Sequence, residues 1–534
     1  MFADLHCHAH MRSFLTMCAN QDNMKRRKLF HPWTIVATNM NRLKHSDRAI
    51  GYAQSDMVAL WNGNVRLVFN SMYPIELGFF KKLSYEQQDQ SSFWDKMIQF
   101  SLSHRSPLRK LIQHLTMRIP VRTIDYILSD EYDYWSFLQD EYAFLCAKDN
   151  EKTTNEIITL GFARKILESN IRRRKKYPDQ YHATGKYIIP KNKKDILKNM
   201  SKDVIIMPLT IEGSHVFSVG DVSELNMLER IDHIKNEWDH PLFFITFAHH
   251  FYNGLCGHAH SMPGITDVLV DQSHGMNQGF TEIGWRMIRK FLSLDKQNNR
   301  VDTESYRILI DVKHMSAKSR MEYYEQIIKP TLAKGDVIPV IASHCAYSGQ
   351  DRLQDLIDAL EHENDQYRLI KEESPYYAWN INLCNEDIEM IYQTGGLFGI
   401  SFDKRMLGMS ADKRVEKSEK INSILAVWNQ VKAILKVIYD NPMYSMDEKK
   451  KAWDIISIGT DFDGYIDPLS SYKTANELHQ FKTDLTLYIQ AMVDTTDMDI
   501  LYHIDEDFTV EMAVEKICYV NAIDFLLKHY PDKK

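Results

Sequence analysis

The chain is short of paired cysteines, of long apolar runs and of any dominant charge, and each shortage removes a class of protein. Its 534 residues include seven cysteines, an odd number, widely scattered and never in a Cys-x-x-Cys pair. That argues against a disulfide framework or a zinc ribbon and for reduced thiols. No apolar stretch approaches the roughly 18 residues of a membrane-spanning helix, and the N-terminus lacks a basic region followed by an apolar one. The expectation is therefore a cytoplasmic chain with no membrane span. A net charge of −7 supplies no global field for nucleic acid. The basic runs at 25–28, 172–176 and 191–194 lie among acidic and aromatic neighbours and read as solvated helix faces. There is no internal repeat and no low-complexity linker. Apolar residues at 44% and charged residues at 26% describe an ordinary globular chain.

What is present begins almost at once, in the segment DLHCHAH from Asp4 to His10. Apolar Phe2, Ala3 and Leu5 lead into it as a strand would, and alternation along a strand sends His6 and His8 to one face. Two neutral imidazoles on one face are half of a metal site. Four other apolar runs end in the same way. RILIDVKHMS reaches His314, VIPVIASHCA reaches His344, DVIIMPLTIEG reaches Glu212, and IISIGTDFDG reaches Asp461 and Asp463. Each alone reads as an ordinary polar group at a strand end, but together they place metal-ligating residue types at the ends of separate buried strands. Cys7 and Cys345 flank two of the histidines, and alternation turns both outward, toward packing.

Strand-like runs alternate with helix-like segments, the pattern of an α/β protein with a parallel sheet. Strands are predicted near 2–6, 65–71, 204–210, 243–248, 308–312, 337–343, 397–402 and 455–460. Eight strands fit a closed (β/α)8 TIM-like barrel, whose chemistry sits at the C-terminal mouth. The chain is about twice the typical barrel of roughly 250 residues, and the surplus is unevenly placed. We read residues 1–75 as the start of the barrel, 76–202 as a large helical insertion between strands two and three, and 203–534 as the remainder. Trp94, Trp135, Phe137 and Tyr142 are available to pack the large insertion, and smaller insertions fall near 349–378 and 405–451. Insertions on the mouth side would roof a site.

With these segments in view, the chain resembles the membrane dipeptidase (renal dipeptidase) family of zinc metallopeptidases, a branch of the amidohydrolase superfamily. IDVKHMSAKSR, PVIASHCA and IGTDFDG look like that family's strand-five, strand-six and strand-eight signatures. TIEG around Glu212, GFTEIGWRMI, TGGLFGISF and the closing helix with Asn521 add support, and the large insertion lies outside the match. The resemblance implies two divalent metal ions, zinc by type, with His6 and His8 on one, His314 and His344 on the other and Glu212 bridging. It implies Asp461 as the catalytic aspartate that takes a proton from the attacking water and returns it to the leaving amine. His250, with His249 as its rival, matches the histidine that hydrogen-bonds the tetrahedral intermediate, and Asn253 stands near it as a substrate-binding candidate. His258, His260 and His274 read as loop histidines, and Asp463 as a supporting carboxylate.

Two departures shape the expectation. The family shows His-x-Asp at the first strand, whereas this chain has His6-Cys7-His8. The family's arginine that holds the substrate carboxylate has no counterpart in WNINLCNEDI, from Trp379 to Ile388, which leaves Arg352 or Arg405 to take its place. The reading is hydrolysis of a dipeptide or similar small amide by a metal-bridged hydroxide. One alternative keeps the metals and changes the substrate to a cyclic amide, lactone or phosphoester. Another is a metal-binding interaction module without turnover. The expected partner is a small-molecule or dipeptide substrate, with no nucleic acid, and a homodimer follows from the frequency of two-fold assemblies.

Overall fold

The computed structural model describes residues 1–20, 27–37, 53–80, 119–159, 182–200, 203–220, 222–262, 270–301, 305–362, 368–369, 376–409, 418–493 and 503–532. Eight strands form its centre: β1 (Phe2–Cys7), β2 (Val65–Met72), β3 (Leu209–Glu212), β4 (Leu242–Thr246), β5 (Leu309–Asp311), β6 (Ile341–Cys345), β7 (Leu397–Ile400) and β8 (Ile456–Ile458). They pair in chain order, every pair parallel. The ring closes between β8 and β1, where the Asp461 N–H donates to the His6 carbonyl at 2.9 Å and the His8 N–H to the Phe462 carbonyl at 3.0 Å. This is a (β/α)8 barrel, and each of the eight predicted strands overlaps one of its staves, the one predicted at 204–210 meeting β3 only at Leu209 and Thr210. Two short strands, Tyr187–Ile188 and Ile205–Ile206, extend the sheet beside β2.

The apolar runs that marked the strands fill the barrel. Leu5, Leu67, Phe69, Phe244, Ile341 and Leu397 belong to one buried cluster, which continues into the closing helix α6 (Asn521–His529) through Phe525 and Leu526. Close approach of neighbouring staves explains two glycines. A Cβ on Gly399 or Gly459 would lie 1.9 or 1.8 Å from the Ser343 carbonyl oxygen of β6, so neither strand can carry a side chain there.

Helices surround the ring. α1 (Met11–Cys18) follows β1 directly. Between β2 and β3 stand Val121–Ile127, α2 (Tyr134–Cys146) and Lys193–Asn199, together with short strands that helical periodicity did not predict. Asp133 caps α2, accepting from the Ser136 N–H at 2.8 Å. Tyr142 of α2 stacks on Trp238 with ring centroids 4.0 Å apart, and Phe137 meets Phe14 of α1 at 5.0 Å, so this segment packs on the barrel through its aromatics. Trp94 and the basic run at 172–176 lie outside the described residues.

On the opposite side, Arg320 of α3 (Ala317–Tyr323) is fully buried against Asp387 of α4 (Asn385–Thr394) at 3.0 Å. Among the described residues one helix, α5 (Glu419–Tyr439), is long and apolar enough to cross a membrane. It buries Trp428, Val431, Ile434 and Leu435 within the protein, which accounts for its apolar character. All seven cysteines are free thiols.

Candidate metal centre

Glu212, the last residue of β3, is the hub of the barrel mouth. Its Oε1 lies 3.4 Å from His6 Nε2, 3.3 Å from His249 Nε2, 3.5 Å from His314 Nε2 and 3.5 Å from His344 Nε2. Its Oε2 lies 2.9 Å from His8 Nε2. Asp461 completes the ring of donors, 4.0 Å from His6, 3.9 Å from His8 and 3.9 Å from His344. The seven side chains come from the ends of six staves or the loops just beyond them, His6 and His8 sharing β1, at the face where such barrels carry their chemistry. His10, the third histidine of the opening segment, turns away to Glu141 at 2.7 Å and Asn70 at 2.8 Å.

Local backbone geometry aims two of these groups. His314 has φ +67° and Asp461 φ +61°, each three residues past the end of its strand. Left-handed conformations are uncommon for non-glycine residues and cost about 1–3 kcal/mol, so the fold is holding both against their preference. Fixed hydrogen bonds orient the rings. His8 Nδ1 is 3.0 Å from the Ser71 carbonyl, and His344 Nδ1 is 2.8 Å from Ser343 Oγ, which donates to Asp311 at 2.6 Å. His249 Nδ1 is 2.6 Å from Glu76 Oε2, and Glu76 also accepts from the Tyr73 hydroxyl at 3.0 Å. Outer partners of this kind turn the second ring nitrogen toward a common centre.

The donor set suits a cation. His6 Nε2 and His8 Nε2 are buried without a hydrogen-bond partner, although both stand close to Glu212. Burial, partly offset by Glu212, lowers the pKa of His6. Burial holds His314 and His344 well below the usual histidine range. These rings are therefore neutral at physiological pH, the form that ligates metal. The two carboxyls are driven apart. Burial opposes ionisation of Glu212, but His249 and His6 outweigh it and hold it down, whereas burial and the Glu212 charge push Asp461 well up. Ligand atoms of His6, Glu212, His344 and Asp461 form one group close enough to hold an ion, and those of His249, His250 and His314 form a second. This grouping separates His314 from His344, although their Nε2 atoms are only 3.3 Å apart.

The remaining sequence candidates make other contacts. His250, buried with its ring 5.0 Å from that of His314, has its Nδ1 2.6 Å from Ser261 Oγ, while His249 lies beside Glu212. Asn253 spends its amide on its own loop and the loop after β3: Nδ2 donates to the Phe247 carbonyl and Ser214 Oγ, and Oδ1 accepts from the Leu255 and Cys256 N–H groups. Arg352 is 65% exposed and pairs with Asp355 at 2.7 Å. Arg405 grips Asp403 through Nε and Nη2 and donates to the Tyr465 carbonyl at 2.9 Å. Asp463 is taken up by Arg12, at 2.9 and 2.7 Å, and by the Ser55 N–H. Sequence reasoning missed Glu76. The rule that found the others, a carboxylate just beyond an apolar strand, applies to it equally, since it lies four residues past β2.

Fold and site together define a (β/α)8 barrel with a histidine–carboxylate cluster at its mouth. Comparison with solved structures adds the following neighbours. The dipeptidase AC, a metallopeptidase, is 13% identical with a TM-score of 0.48, covering 100% of this chain and 99% of its own. A metallopeptidase from Rhodobacter sphaeroides, liganded with a phosphinate mimic of the dipeptide L-Ala-D-Ala, is 13% identical at a TM-score of 0.45, covering 99% and 98%. The probable dipeptidase PvdM from Pseudomonas aeruginosa is 12% identical at 0.38, covering 96% and 97%. No family model matches the chain, and no curated protein does.

Proposed function

We propose that the chain is a metal-dependent hydrolase that cleaves a dipeptide or a similar small amide. The observation that carries this reading is the approach of four imidazole Nε2 atoms to one carboxylate oxygen, Glu212 Oε1, at 3.3–3.5 Å. An isolated buried carboxylate would be costly. Burial opposes protonation of His249, but Glu212 and Glu76 raise its pKa to about 10, so it supplies counter-charge, while the neutral rings of His6, His314 and His344 offer ring nitrogens suited to cations. His6 and His8 would hold one ion and His314 and His344 the other, with Glu212 reaching both. Nitrogen-rich donors favour zinc. When bound, such ions lower the pKa of a coordinated water and polarise a carbonyl.

The chain's own groups supply the rest. Asp461 faces the same centre and is bound by no lysine or arginine among the described residues, so its carboxyl is available to accept a proton from water and pass it to the leaving amine. His249, fixed by Glu76, holds the inner wall. Ser261 occupies Nδ1 of His250, which leaves Nε2 to donate to the oxygen that gains charge as the carbonyl is attacked. Elemental analysis and a panel of dipeptides of both stereochemistries test the reading together. Two equivalents of zinc and zinc-dependent hydrolysis are expected, and Asp461→Asn should keep the metal while losing about 10²- to 10⁴-fold in turnover. Full turnover by that variant would remove Asp461 from the mechanism.

A second reading, with a cyclic amide, lactone or phosphoester as substrate, is favoured by the state of Arg405. Its guanidinium is already bidentate on Asp403, so it is poorly placed to clamp the carboxylate of a dipeptide. Hydrolysis of lactams or phosphoesters in preference to dipeptides would select this reading.

A further inference from the structure

The loop after β8 carries a hydroxyl that the chemistry above does not use. Tyr465 Oη is buried and has no hydrogen-bond partner, although buried hydroxyls are normally paired. Its ring lies 5.8 Å from Phe79, and Phe79 lies 5.3 Å from His250, so the phenol belongs to the same wall of the mouth as that histidine. Burial raises its pKa, with Asp463 and Glu212 adding to that and Arg12 opposing it.

The backbone that aims it is strained. Tyr465 has φ +65°, the third left-handed non-glycine residue in five, after Asp461 and Asp463. For a bulky aromatic residue this conformation persists only where the surroundings impose it. The constraint is visible: Arg405, anchored on Asp403, donates from Nη2 to the Tyr465 carbonyl at 2.9 Å. An arginine that sequence reasoning offered as a substrate clamp is thereby engaged in fixing the loop.

We propose that Tyr465 is a substrate-contacting residue, its phenol donating a hydrogen bond to a substrate oxygen at the barrel mouth, and that Arg405 is its positioning residue. The inference rests on the hydrolase reading for the identity of that substrate. Tyr465→Phe removes one oxygen and leaves the ring to pack on Phe79.

The test uses the full zinc-loaded chain, alanyl-alanine as substrate and the corresponding phosphinate dipeptide as a non-hydrolysable probe read by calorimetry. Tyr465→Phe should weaken phosphinate binding and lower kcat/KM by about 10- to 100-fold, the loss of one hydrogen bond to a charged or charging oxygen, with zinc content unchanged. Arg405→Met should fall by a similar factor alone and add almost nothing in the Tyr465→Phe background, a coupling that a purely structural arginine would not produce. Equal phosphinate affinity in parent and Tyr465→Phe overturns the inference. A parent that binds phosphinate but cleaves no dipeptide refutes the dipeptide-hydrolysis reading while the binding arm still judges Tyr465. A parent that does neither overturns both.

Discussion

Asp461 owes its position to an absent side chain, and restoring that side chain is a sharp test of its role. A Cβ on Gly464 would lie 1.9 Å from Asp461 Oδ1 and 2.7 Å from its Cγ. Ordinary contact begins near 3.4 Å, so the carboxylate oxygen must retreat by about 1.5 Å to admit a methyl group. Gly464 does not occupy the left-handed region, so alanine is compatible with its backbone and the perturbation falls on Asp461. Displacing a reacting group by about 1 Å can cost about 10²-fold in rate. Gly464→Ala should therefore lower kcat for a dipeptide by about two orders of magnitude while His6, His8, His314 and His344 keep their metal. Steady-state kinetics, elemental analysis and a thermal melt on one preparation separate these effects. Parental kcat in a folded, metal-loaded Gly464→Ala protein would mean that the place of the Asp461 oxygen is immaterial, and the proton-transfer role would fall with it.

Other perturbations reach different parts of the molecule. Glu76→Gln removes the charge that orients His249 Nδ1 and should cost about 10- to 100-fold in metal affinity or activity, the usual effect of losing an outer carboxylate; unchanged metal titration and kinetics would refute it. Arg320→Ala leaves Asp387, itself fully buried, without its cation, and should destabilise the fold by about 3–5 kcal/mol in a denaturant titration; a loss under about 1 kcal/mol would contradict the argument. His529, far from the mouth on α6, is lowered to about 4 by burial and then by Lys528 and Lys193. The unfolded chain takes up that proton near pH 6.5 and the folded chain does not, so stability is present above the unfolded value and is lost as pH falls from 6.5 toward 4. The full shift corresponds to about 3 kcal/mol, reduced by the partial exposure of the ring, and His529→Gln should flatten this slope in melts between pH 7 and 4. An identical slope in both proteins would assign the acid sensitivity elsewhere.

Much of the barrel is legible in the chain because buried parallel strands leave a simple mark: short apolar runs, Phe2 to Leu5 or Ile308 to Val312, broken off by a polar residue at the mouth. The same mark exposes His314, His344, Glu212 and Asp461, and Glu76 was missed only because it stood at the head of a long insertion. Loop positions do not carry such a mark. Asn253 lies close to the histidines in sequence, yet its amide is consumed by four hydrogen bonds, three within its own loop and one to Ser214. His249 and His250 are neighbours of the same type, and one faces Glu212 while the other meets Ser261.

The primary structure by itself determined the inventory: which donors exist, that they end separate strands, and that the strands are numerous enough to close a ring. Tertiary structure decided direction. Barrel closure brings His6 within 4.0 Å of Asp461, residues 455 positions apart, a contact that local pattern cannot encode. The left-handed turns at His314, Asp461 and Tyr465 reset where each side chain points after its strand has ended. Partners such as Glu76, Asp403 and Ser261 then fixed which nitrogen, oxygen or guanidinium was spent on the fold and which remained for chemistry.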